Sequence, residues 1–294
     1  MRATKALTAG LTVAARNARL LLWLLLGNII LAAAAVWPLL RPFETTLEWH
    51  PAPEQMASRF DMAWWVDVTT AHAASFARTI EMAGAMSFLA ALMGCFFAGG
   101  LLQAYCDTLE GRRMDRFMTS CRRWAPRFIL LFALSLPLYW LVHRIVNTRL
   151  ELALRDLLEN VADERMGLLL RLIKIGLFLA LFDGVTLAAD YARVHAIVTP
   201  DRSMPVSLRA GIFFVLRHPL RVLGLEALVI LLQVAALLLY LPVDGLLGRT
   251  SPAGLIAGVL AGQVFLLSRL YLREASRAGQ VALYRASLPG ENPA

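Results

Sequence analysis

The sequence predicts an all-α polytopic membrane helix bundle of six transmembrane helices with interfacial amphipathic helices, a single membrane domain over residues 1–294. Three observations predict it: 59% of the residues are hydrophobic, they gather into six long runs, and arginine gathers on alternate connections between those runs. A bilayer core of about 30 Å needs roughly 20 mostly apolar helical residues. Residues 20–40, 82–105, 128–146, 167–191, 222–241 and 253–271 meet that length. They are continuously apolar, without the alternation that a barrel wall requires, so helices are expected rather than strands.

Charge sets the expected orientation, because Arg and Lys near span ends stay on the cytoplasmic side. Arg2, Lys5, Arg16 and Arg19 precede the first span without an acid among them. The second connection carries Arg112, Arg113, Arg116, Arg122, Arg123 and Arg127, the fourth Arg193, Arg202, Arg209, Arg217 and Arg221, and the tail Arg273, Arg277 and Arg285. These segments are expected inside. The connection over 41–81 instead holds Glu44, Glu48, Glu54, Asp61 and Asp67, and that over 147–166 holds Glu151, Asp156, Glu159, Asp163 and Glu164. Both are expected outside, which leaves both termini cytoplasmic in a bacterial inner membrane. Trp37, Trp64, Trp65, Tyr139, Trp140 and Tyr240 fit an outer aromatic belt, and Trp23, Tyr105, Trp124, Tyr191 and Tyr271 an inner one.

The first apolar run is longer than the core of a signal peptide, so its retention as a span is expected. Arg-rich inner faces against anionic lipid account for the net charge of +8, and no nucleic acid partner is expected. Cys95, Cys106 and Cys121 offer no outward-facing pair to oxidise.

A threefold internal repeat underlies the layout. Each odd span is introduced by a segment that is apolar on one face and tipped with Arg: Ala6 to Arg19, Met114 to Arg127 and Val206 to Arg221. Their ends superpose as Arg16-Asn17-Ala18-Arg19, Arg123-Trp124-Ala125-Pro126-Arg127 and Arg217-His218-Pro219-Leu220-Arg221. Pro126 and Pro219 suit a sharp bend from a helix lying on the membrane into one crossing it. The inner ends of the even spans rhyme as Tyr105-Cys106, Tyr191-Ala192 and Tyr271-Leu272. Of the outer connections, Leu150, Leu154, Leu157, Leu158 and Val161 form an amphipathic stripe. The first begins with Pro38, Pro42, Pro51 and Pro53, expected to break helix, and then runs helically from Glu54 to Ile80 with Met56, Phe60 and Trp64 on one face.

Ionisable residues at membrane depth are the candidate site, since a charge there is costly. Asp183 lies deepest, and with Glu226 and Arg269 it defines a candidate polar cavity open to the cytoplasm; simple interhelical pairing is the competing role. Arg16, Arg19, Arg123, Arg127, Arg217 and Arg221 are expected to face lipid headgroups. Gly254, Gly258 and Gly262 recur along one face of the sixth span and mark a helix-packing surface, within the bundle or between copies.

Catalytic signatures are missing. His50, His72, His143, His195 and His218 are scattered without a helical pair, so no metal site is expected, and no nucleophile turn or phosphate-binding glycine loop is present. No catalytic residue and no cofactor are expected.

The six-span layout with its Arg217-His218-Pro219 turn resembles a broad group of bacterial integral membrane proteins, and is similar to the membrane domain fused to some glycerophosphodiester phosphodiesterases. The phosphodiesterase catalytic domain has no counterpart in this sequence, so the resemblance implies a fold and a membrane setting and carries over no active-site residue. The expected function is a non-enzymatic membrane scaffold or partner subunit, with membrane lipids and another membrane protein or a second copy as partners. The alternative is a transporter or lipid- or solute-handling protein using the cavity around Asp183.

Overall fold

The structure, a computed structural model, describes residues 1–48, 62–106, 114–158, 164–199, 203–247 and 251–288. Helix accounts for 95% of it, and no strand occurs among the described residues. In chain order the helices are α1 (Ala3–Arg16), α2 (Ala18–Glu48), α3 (Met62–Ala71), α4 (Ala73–Cys106), α5 (Met114–Arg144), α6 (Glu151–Leu158), α7 (Glu164–Val198), α8 (Met204–Arg217), α9 (Pro219–Leu246) and α10 (Pro252–Arg285), with a π-helical stretch Ile145–Leu150 joining α5 to α6.

Five segments are long and apolar enough to cross a membrane: Arg19–Leu40, Ala73–Cys106, Met114–Leu154, Pro219–Leu246 and Pro252–Arg285. Their large apolar side chains stand exposed, among them Trp23, Leu231, Leu239 and Val264, as lipid-facing helices require. The chain is therefore a multi-pass membrane protein. The remaining expected span lies in α7, which is 35 residues long but carries Arg171, Lys174, Asp183 and Asp190 and buries its final third.

Local chemistry explains where the helices break. Asn17 ends α1: its side chain donates to Val13 O at 2.8 Å, and its carbonyl accepts from Leu20 at 2.9 Å to start the next helix. At the third Arg-tipped segment His218 adopts φ −125° and ψ 45°, off the helical region, because the residue before a proline is disfavoured there. Pro219 then opens α9, where its missing N–H costs nothing. The second segment differs from expectation, since α5 continues through Pro126 and Pro137 without interruption. Likewise α2 runs through Pro38 and Pro42 to Glu48, so those prolines do not end it. A proline inside a helix frees one carbonyl and kinks the axis, and the turns on either side hold when that carbonyl finds another partner. Pro51, Pro53, Met56 and Phe60 lie outside the described residues, as does Val161 of the second outer connection.

The chain forms two compact units: Met1–Ala6 with Cys95–Leu225 and Gly279–Ala294, and Leu7–Gly94 with Glu226–Ala278. In the second unit the end of α2 meets α3 and α4 through aromatic rings, with Phe43 6.0 Å from Trp64 and 6.3 Å from Phe76, and Trp65 edge-on to Phe76 at 5.7 Å. Far along the chain, the Tyr271 hydroxyl donates to Leu11 O at 2.9 Å and ties α10 to α1.

In the first unit the packing rests on three close helix crossings. At α4 against α5, a Cβ added to Gly99 would lie 2.6 Å from Trp124 Cβ, and one on Gly100 would collide with Cys121 and Phe117. At α7 against α8, a Cβ on Gly211 would collide with Ala188 O and lie 2.6 Å from Ala192 N, both backbone atoms. At α10 against α1, a Cβ added to Gly279 would lie 3.0 Å from Ala6 O. Around these points Cys121, Trp124, Phe128, Tyr191, Val194, Phe214, Val281 and Tyr284 are buried. Burial thus concentrates at the Arg-bearing ends of the expected spans, both within them at residues 95–104 and 187–191 and beyond them, where α10 extends well past Tyr271 to supply it.

The glycines of the sixth span contrast with these. A Cβ on Gly258 meets nothing within 4 Å, and one on Gly262 meets only the Tyr240 hydroxyl at 3.8 Å. Packing within the chain is therefore carried by Gly99, Gly100, Gly211 and Gly279, and Gly258 stands open.

Backbone atoms cannot yield as flexible side-chain tips do, so Gly211→Ala should lower stability in detergent by about 2–3 kcal/mol. Gly258→Ala should leave it unchanged or raise it by up to about 1 kcal/mol through helix propensity. Thermal melts of the two purified variants check this, and equal melting temperatures would contradict the close crossing.

Candidate functional site

The residues of the expected polar cavity divide between the units. Asp183 belongs to the first, Glu226 and Arg269 to the second. Asp183 is half-buried on α7 and has no ion pair among the described residues of its unit, whereas Asp190, two turns on, pairs with Arg193. Beside Asp183, the Tyr139 and Thr186 hydroxyls share a hydrogen bond at 3.0 Å, and the Tyr139 ring packs on Phe182 at 4.7 Å. The N-terminal half of α7 is charge-matched too, with Lys174 paired to Glu151.

In the second unit the half-buried Glu226 accepts a hydrogen bond from Ser276 at 3.2 Å, which joins α9 to α10. Glu274, 1% exposed, pairs with Arg277 one turn away. Arg269 is exposed and lies 6.0 Å from the Phe265 ring centre; Phe265 stacks on Tyr240 at 4.8 Å, and the Tyr240 hydroxyl reaches Asp244 at 3.3 Å. Glu226 and Arg269 thus work through different neighbours.

Arg16, Arg19, Arg123, Arg127, Arg217 and Arg221 are all exposed. Arg123 and Arg127 flank the Trp124 ring at 5.7 and 5.3 Å, while the indole N–H donates to Gln103 at 3.2 Å. The buried ring thus gives both guanidinium groups a cation–π contact at the start of the α5 apolar run.

Sequence reasoning missed the cluster where the ends of α4, α7, α8 and α10 meet in the first unit. Tyr191 packs on Phe214 at 4.7 Å, Phe214 on Tyr284 at 4.9 Å, and His195 edge-on to Tyr284 at 6.1 Å. Arg285 donates to Cys106 O at 3.0 Å, and His195 is held by Thr199 at 3.0 Å. Ser207 Oγ and Gln280 Oε1 are buried in the same unit without a hydrogen-bond partner. The apolar spacing of Leu272, Ala275, Ala278 and Val281 was the signal available for this extension of α10.

Among the described residues, no group of three His, Cys, Asp or Glu side chains could hold a metal ion. No family model, curated protein or solved structure matches the chain.

His218, at the break between α8 and α9, packs against Phe214 at 5.1 Å. Desolvation, followed by the Arg221 and Arg217 charges, holds its imidazole below the ordinary value of 6.5. A histidine depressed in the folded state binds fewer protons than in the unfolded chain, so its contribution to stability is complete above 6.5 and is lost as pH falls below that value. NMR titration of labelled imidazole should give a midpoint below 6.5, moving upward in Arg217→Gln with Arg221→Gln. A midpoint unchanged by that pair would exclude the two arginines as a cause.

Proposed function

We propose that the chain is a six-span protein of the bacterial inner membrane with cytoplasmic termini, built from three copies of one unit, and that it serves as a non-enzymatic scaffold or partner subunit. In each copy an Arg-tipped helix on the inner face introduces an outward span, and the inner end of an inward span packs against the next Arg-tipped helix. The observation that carries the reading is the set of three crossings at Gly99 and Gly100, at Gly211 and at Gly279. Each joins the end of an even-numbered span to an Arg-tipped helix, and the last returns to α1. Such a design would present three cationic, amphipathic helices to the lipid surface. Span four then runs through α7, with Lys174 matched to Glu151 at one end and Arg193 to Asp190 toward the other. Membrane lipids are the first partners of this design. A membrane protein or a second copy would meet the open face at Gly254, Gly258 and Gly262 of the sixth span, where nothing crowds Gly258.

A second reading, lipid or solute handling, draws on Asp183, a half-buried carboxylate that lacks an ion pair among the described residues of its own unit.

Reporter fusions test the topology. Those placed after Arg59, Arg155 and Gly248 should report the outside, and those after Arg113, Arg202 and Arg285 the cytoplasm. Opposite labelling at any two of these sites rejects the six-span arrangement, and labelling of Arg155 and Arg202 on one side removes α7 as a span.

A further inference from the structure

We propose that the first turns of α1 and α9 form a binding site for the phosphate of a phospholipid headgroup. In the first unit a cavity of about 660 Å³ is lined by Met1, Arg2, Ala3, Lys5, Leu220 and Arg221. Its size falls within the roughly 300–1,000 Å³ typical of small-molecule sites. Three of the six lining residues are cationic, none is acidic, and they come from two segments far apart in sequence, residues 1–5 and the start of α9.

The two helix starts are held together by contacts independent of the cavity. Gly224, one turn into α9, has Ala3 close enough that an added Cβ would lie 3.5 Å away, and the same contact at Gly279 is 3.0 Å from Ala6 O and 3.4 Å from Leu225. The first turn of α1 is thus wedged against both α9 and α10, and Arg2, Lys5 and Arg221 are presented around a fixed hollow rather than along a mobile tail.

The lining chemistry selects the ligand. Guanidinium groups from two helices match the paired oxygens of a phosphate, and two helix N-termini bordering the hollow add partial positive charge. The other half of the lining is apolar, with Met1, Ala3 and a Leu220 that is 87% exposed. A free inorganic ion gains nothing from that half. A phospholipid brings a phosphate and its glycerol and acyl portion together, and satisfies both halves. The assignment rests on the reading above, in which α1 and the α8–α9 break lie at the membrane interface.

The experiment uses full-length protein in phosphatidylcholine nanodiscs that carry a minor fraction of phosphatidylglycerol, followed by native mass spectrometry of the released protein. Wild type should retain phosphatidylglycerol in preference to phosphatidylcholine. Arg2→Gln with Arg221→Gln should weaken that retention by about tenfold or more, the loss expected when two charge-assisted hydrogen bonds go. Arg122→Gln with Arg209→Gln, exposed arginines outside the cavity, should leave retention unchanged. Equal losses in the two double variants would overturn the site in favour of diffuse surface attraction. Complete displacement of the lipid by millimolar inorganic phosphate would overturn the lipid as ligand, while partial competition supports a phosphate-reading site with an apolar flank. If the glutamine variant melts early, Arg2→Lys with Arg221→Lys replaces it; intermediate retention supports the guanidinium role, and retention equal to wild type overturns it. Side-specific labelling of Arg2→Cys in oriented vesicles separates the two levels of inference: outward labelling rejects the topology and leaves the binding result standing, whereas inward labelling with no selective retention rejects the site alone.

Discussion

Close approach of helix backbones at glycine is the constraint on which the first unit depends. In lipid, apolar side chains gain little by leaving one hydrocarbon environment for another, so helix association relies on contact area and on backbones approaching closely. At Gly211 the approach is so tight that the opposing atoms are the carbonyl of Ala188 and the amide of Ala192 rather than side chains. Once those axes are fixed, Tyr191, Phe214 and Tyr284 fill the space around the crossing, and the direction in which α8 enters α9 at His218 follows from it. The exposed apolar length of α9 then needs no partner from the chain itself, because lipid covers it.

Charge is arranged around this packing rather than within it. Ion pairs form within a helix at Glu274 with Arg277 and Asp190 with Arg193, and between α6 and α7 at Glu151 with Lys174. The arginines at the helix tips are left exposed instead, two of them braced on Trp124. Pairing lowers the cost of a charge that must stay buried, as at Glu274, whereas an exposed cation keeps most of its hydration and needs no such compensation.

Much of this was legible in the sequence, and the parts that were not fail for identifiable reasons. Run length and continuous apolarity located the long helices, and the first and third Arg-tipped segments are helices in their own right, ending at Asn17 and His218, while the second is the start of α5. Proline misled twice. Pro126 and Pro38 were expected to bend or end a helix, yet α5 and α2 pass through them, because a proline's effect depends on whether its freed carbonyl finds another partner. The extension of α10 beyond Tyr271 was hidden by Arg273, Arg277 and Arg285, which read as a polar tail although Leu272, Ala275 and Val281 beside them are buried. In the candidate cavity, depth in the sequence placed Asp183, Glu226 and Arg269 at similar levels, but level says nothing about which face of a helix looks at which neighbour. Glu226 turned out to meet Ser276, and Arg269 the Phe265 ring.

The glycines show most clearly why pattern and contact differ. A repeat such as Gly254, Gly258 and Gly262 records that a backbone is accessible along a stripe, which is a permission for close approach and not evidence of it. The isolated Gly211 carries no pattern at all, yet it is the position where a single methyl group has nowhere to go. A lone glycine inside a helix costs stability in propensity, so where it recurs without a motif a tight contact is the physical reason to look for. Conversely, a glycine stripe that the chain leaves uncrowded keeps its helix able to accept another backbone. The protein therefore separates glycines that close its own crossings from Gly258, around which space is open, and only contact geometry distinguishes the two.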